Sequence, residues 1–257
     1  MLFYKAWVES RWRFIYGAVA VTALSILFVR LHPILIPQWR LGLALQDPHA
    51  IKPRWLPLGV SDYRFYIWHF LFDFRLQNLW VLMAIVLSFG GLLREHANGT
   101  AAFSLSLPVT RNRWLLSRVL IAFLETTVLA WIPAVVVPIA SVSVGQSYPI
   151  GQGFAHGLLM AGVGSVFVGL AAFVSLILRG EYTPLVMTLA MLAVPYLVLQ
   201  EWARRVSWAR KIDIAHVMAG AWLLTWGDVP WLAIVMVCLL TALFLGLAAR
   251  QGRRLEF

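Results

Sequence analysis

Residues 94–118 read REHANGTAAFSLSLPVTRNRWLLSR, a polar island of 25 residues that lies between two long apolar runs and holds four arginines. Asn98, Gly99 and Thr100 are suited to end one helix and open another. Asn and Gly tolerate the left-handed conformation, and a Thr hydroxyl can accept a bond from an orphan backbone N–H. Residues 101–107 then alternate small and apolar side chains, so Phe103, Leu105 and Leu107 can fill a groove on a partner. Pro108 ends that segment, because the residue before a proline is pushed out of the α region. Thr110 is a cap for the next helix, which starts with Arg111 and Arg113 and turns apolar at Trp114. A polar turn, a short helix, a proline stop and a basic restart describe a docking element at a membrane face.

Working outward, the composition is that of a polytopic membrane protein. The 257 residues are 61% hydrophobic and 12% charged, with 13 Trp and a mean hydropathy of +0.80. A soluble domain carries about 25% charged residues. The tryptophans are numerous enough to belt both interfaces. A net charge of +10 in such a chain points to cytoplasmic loops and to anionic lipid head groups as partners. No nucleic-acid partner is expected, since no soluble basic face is long enough. Cys238 is the single cysteine, which excludes an intrachain disulfide and a thiolate metal cluster.

The chain is expected to be one all-α membrane domain over residues 1–257, with six spans at 14–29, 79–93, 114–144, 153–178, 182–199 and 231–249. Residues 1–13 mix Phe3, Trp7 and Trp12 with Lys5, Glu9, Arg11 and Arg13, the pattern of a helix in the interface or of a plain basic flank. The first span ends in Leu27, Phe28, Val29 and Arg30 without a small-residue cleavage site, so it is expected to stay as an anchor. Residues 31–77 contain five prolines (Pro33, Pro37, Pro48, Pro53, Pro57) and read as a long loop that ends in an aromatic interfacial helix over 65–74. His69 and Asp73 share a face there. Two ligands are too few for a metal, and a hydrogen-bonded pair is the simpler reading.

The third span carries Pro133 and Pro138 as kinks, with Glu125 about 16 Å inside it at 1.5 Å per residue. An ionisable group at that depth is a candidate for the translocation pathway. The bland alternative is a Glu that is protonated or bonded to Thr126 or Thr127 and only packs helices. The fourth span has small residues at every fourth position, Gly153, Gly157, Ala161, Ser165 and Gly169, a ridge for close helix packing. Residues 201–213 are basic with interleaved aromatics and read as interfacial. Residues 214–226 are apolar but too short to cross, the length of a re-entrant segment.

An even number of spans places both termini on one side. The side with the termini, the central island and the turn at Arg179 carries 11 Lys and Arg, against 10 on a much longer opposite side. By density the first is cytoplasmic. No G-x-x-x-x-G-K-[ST] loop is present, so energy from ATP would have to come from another polypeptide. The six histidines, His32, His49, His69, His96, His156 and His216, are scattered, and no catalytic triad or metalloprotease spacing emerges.

Glu95, Gly99 and Thr100, Leu105, Leu107 and Pro108, Arg111 and then the basic Arg118 resemble the cytoplasmic loop of ABC-2 type transporter permeases. The likeness covers this loop; elsewhere it is architectural. It implies a coupling helix between spans 2 and 3 that sits on an ATPase subunit, with Glu95, Gly99, Thr100, Phe103, Leu105, Leu107, Pro108 and Arg111 at the contact. It further implies an N-terminal interfacial helix, a re-entrant segment between spans 5 and 6, and both termini inside the plasma membrane. The chain would then pair with a second permease copy, hold no cofactor, and leave ATP and Mg²⁺ to the partner. It would not itself be an enzyme, and an amphiphilic or hydrophobic cargo fits the aromatic walls. Two other functions compete: an intramembrane lipid-modifying enzyme built on Glu125 with His69 and Asp73, and an ion-coupled carrier. Against the carrier, no internal repeat is evident.

Overall fold

All elements are helical in the computed structural model, which describes residues 2–45, 55–88, 111–178, 183–192, 214–220, 222–225 and 230–254. Helix α1 spans Leu2–Leu45 and α2 spans Trp55–Ser61. Helix α3 runs over Tyr63–Ser88, with a π-helical stretch at Trp68–Leu76. Helix α4 is Arg111–Val142, α5 is Ile150–Ile177 and α6 is Thr183–Leu192. Two short helices follow, α7 at Ile214–Ala219 and α8 at Trp222–Thr225. The last is α9, Trp231–Arg254. Five of these, α1, α3, α4, α5 and α9, are long and apolar enough to cross a membrane.

Contacts along the helices give their directions. Arg13 meets Val86 and Phe28 meets Tyr66, so α1 and α3 are antiparallel. Trp80 meets Thr126 and Tyr63 meets Ser141, so α3 and α4 are antiparallel too. Gly157 against Ala130 and Gly153 against Ala134 make α5 antiparallel to α4. Ser165 beside Thr241 and Phe173 beside Phe244 set α9 parallel to α5. The start of α1, the end of α3, the start of α4 and the ends of α5 and α9 therefore share one face of the bundle.

Two expectations are corrected. The first span is not confined to 14–29 with a separate helix before it. Residues 2–13 are the opening turns of α1 itself. Nor is 31–77 one broken loop. Pro33 and Pro37 lie inside α1, Pro57 lies inside α2, and α3 begins at Tyr63, well before residue 79. Prolines one turn apart disturb a single stretch, because the donor missing at Pro37 would have served the carbonyl of Pro33. Tyr66 gives its hydroxyl to the Phe28 carbonyl at 2.9 Å and so ties α3 to α1 beside this stretch.

The π-helical stretch has a packing logic. Its i→i+5 bonding widens the turn, and buried groups recur every five residues: Tyr66, Ile67 and Trp68, then Leu71 and Phe72, then Leu76 and Gln77. An α-helix would rotate such groups off the core face. Residues 89–93, and the part of the expected fifth span beyond Leu192, lie outside the described residues.

Candidate functional site

The face where α3 ends and α4 begins is the face that the central island must bridge. Glu95, Gly99, Thr100, Phe103, Leu105, Leu107 and Pro108 lie outside the described residues, and Arg111 is the first residue of α4. Around the anchor points the polar groups are concentrated on α1. Glu9 pairs with Arg118 at 2.6 Å and has Lys5 at 4.0 Å. Arg118 also lies 4.3 Å over the Trp114 ring. Arg13 donates to the Val86 carbonyl at 3.2 Å. Val86 lies two residues before Ser88, the last described residue of α3.

Glu125 belongs to this cluster. It is 3% exposed, and Ser10 donates its hydroxyl to Glu125 Oε1. Oε2 has no hydrogen-bond partner among the described residues. Thr126 and Thr127, the neighbours that sequence suggests as partners, bond back to Ala122 at 2.9 Å and Phe123 at 2.7 Å. Glu125 stands 14 residues past Arg111 and 17 before Val142, near the midpoint of α4, and seven residues past Arg118, about 10 Å along the helix.

On α5 the small residues meet two different neighbours. A Cβ on Gly153 would come 2.8 Å from Ala134 Cα, and one on Gly157 would come 2.8 Å from the Ala130 oxygen, both on α4. Ala161 is buried. Ser165 shares a bond with Thr241 of α9 at 3.1 Å, and a Cβ on Gly169 would lie 3.4 Å from Phe244 Cβ. Steps of four residues advance about 40° each at 3.6 residues per turn, so the row winds from one partner helix to the next.

Residues 66–211 match the family described as ABC-2 family transporter protein, which is more than half of the 257 residues. The chain belongs to that family. No curated protein sequence matches it. As an ABC-2 family transporter protein it is a multi-pass membrane permease of an ABC transporter, and the family is one of transporter membrane subunits.

At the opposite end, the permease carries a second set of polar and aromatic contacts. The Trp68 indole donates to the Ala219 carbonyl at 2.9 Å, and Gln77 donates to the Ala215 carbonyl at 3.0 Å, so the π-helical stretch of α3 seats α7. Gly220 follows α7 at φ 66, in the left-handed region that favours glycine. His156 is 1% exposed and stacks on Phe72 at 4.7 Å. His69 and Asp73 approach to 3.5 Å. No group of three or more His, Cys, Asp or Glu that could hold a metal occurs among the described residues. In the turn between α4 and α5, burial raises the Tyr148 phenol above its usual range.

Proposed function

We propose that this permease is the membrane half of an ABC exporter with six spans, powered by a separate ATPase subunit that docks on residues 89–110. The observation that carries the reading is the placement of α3 and α4: their antiparallel course brings Ser88 and Arg111 to one face, shared with both termini. The segment between them is thus offered to a soluble partner on the side richer in Lys and Arg, which makes that side cytoplasmic. The parallel course of α5 and α9 supports the sixth span. A chain leaving the end of α5 has to cross back once within 178–230 to enter α9 in the same direction. The residues at 182–199 are the segment for that crossing, and residues 214–226, already divided by Gly220, are too short for another.

In this reading Phe103, Leu105 and Leu107 fill a groove on the ATPase, and Pro108 sets where the coupling helix stops. Arg111 and Arg113 meet acidic groups or lipid phosphates, and Glu95 with Gly99 and Thr100 shapes the entry. ATP and Mg²⁺ belong to the partner, a second permease copy completes the pathway, and the cargo is amphiphilic or hydrophobic. The test uses the permease co-expressed with its candidate ATPase subunit. Phe103→Ala and Pro108→Ala should insert normally but lower either capture of the ATPase in detergent or its stimulated hydrolysis about fivefold or more. Wild-type capture and wild-type hydrolysis in both variants would remove the coupling role.

A further inference from the structure

The opening of α1 is tied to both anchors of the 89–110 segment. Arg13 holds the last described turn of α3 through the Val86 carbonyl at 3.2 Å. Glu9 holds Arg118, in the second turn of α4, at 2.6 Å, and Ser10 holds Glu125 two turns further on. Beyond these residues the seam becomes apolar: a Cβ on Gly17 would meet Met83 Sδ at 3.0 Å and Leu129 Cδ1 at 3.2 Å. Stability alone does not call for this change of chemistry. Arg118 is 13% and Glu9 37% exposed, and a pair open to solvent on one side contributes little to stability. What polar contacts add is discreteness. Aliphatic packing has one good fit, whereas charges and hydrogen bonds can exchange between a few defined arrangements. Glu125 keeps Oε2 without a partner among the described residues, an incomplete set of bonds that is costly in one fixed arrangement.

We infer that residues 9–13 of α1 form a transmission clamp, in which Glu9, Ser10 and Arg13 are positioning residues that turn a displacement of 89–110 into a shift of α1 against α4. The inference rests on the permease reading above and adds to it the route by which the signal enters the bundle. α4 leaves the segment directly, and α1 runs parallel to it to the far face, so a shift at Arg118 and Glu125 is carried along two helices at once.

The test is made on the permease with its co-expressed ATPase subunit, in a Cys238→Ala background, with an environment-sensitive fluorophore on Ile150→Cys. Ile150 is 58% exposed and opens α5 at the far face. Glu9→Arg and Arg118→Glu should each leave ATPase capture and hydrolysis within about twofold of the parent, yet cut the ATP-driven fluorescence change about fivefold or more. The double variant should regain at least half of that change. Because Lys5 stands 4.0 Å from Glu9, the isosteric Glu9→Gln reads the same contact if a reversal does not fold. An undiminished fluorescence change in the single variants overturns the clamp. So does a double variant as impaired as its parents at an unchanged melting temperature. If the unmutated permease captures no ATPase subunit, the permease reading itself fails and the clamp falls with it.

Discussion

Trp80 shows how much of this bundle turns on one side chain. It is 1% exposed, and its indole N–H reaches the Thr126 carbonyl of α4 at 2.8 Å. A Cβ at Gly164 of α5 would run into its ring. Three helices are keyed to one another at this residue. Trp80→Ala would leave a large void and should cost about 3–5 kcal/mol, read as a lower melting temperature in detergent. Trp80→Phe keeps most of the ring and loses the N–H bond, worth about 1 kcal/mol, so its shift should be clearly smaller. Equal shifts would mean that the hydrogen bond, not the volume, matters. A tryptophan in an apolar run gives no hint of the glycine it covers.

At the scale of the element, α5 illustrates what a spacing can and cannot say. The four-residue row is plain in the sequence, but its division between α4 and α9 depends on where those helices lie. Gly157→Leu forces a side chain against the Ala130 backbone, and overpacking of this kind costs about 1–3 kcal/mol. A Cβ on Gly162 would meet nothing within 4 Å, so Gly162→Leu should leave the melting temperature and the elution profile unchanged. A similar loss at both positions would sever the tie between close approach and stability. The proline-rich start of the chain teaches the opposite lesson. Proline lowers helix propensity in a helix interior, yet α1 passes through Pro33 and Pro37 while packed against α3, whose Tyr66 bonds the Phe28 carbonyl.

For the whole molecule the decisive quantity is which face looks into the cytoplasm. Leu58 of α2 is exposed, as is Arg113 near the start of α4, and the helix directions put them on opposite faces. In intact cells a membrane-impermeant maleimide should label Leu58→Cys and spare Arg113→Cys, both in the Cys238→Ala background, with the two labelling equally once the membrane is opened. The reverse pattern would invert the topology and take the docking face away from the ATPase. The membrane class, the apolar segments and the polar island between α3 and α4 were legible in the sequence alone, since hydropathy and turn chemistry are local properties of consecutive residues. The partners were not. Ser10 finds Glu125 across 115 positions, Glu9 finds Arg118 and Trp80 finds Gly164, because contacts between helices are set by direction, register and rotation. Those quantities exist only once the helices have packed.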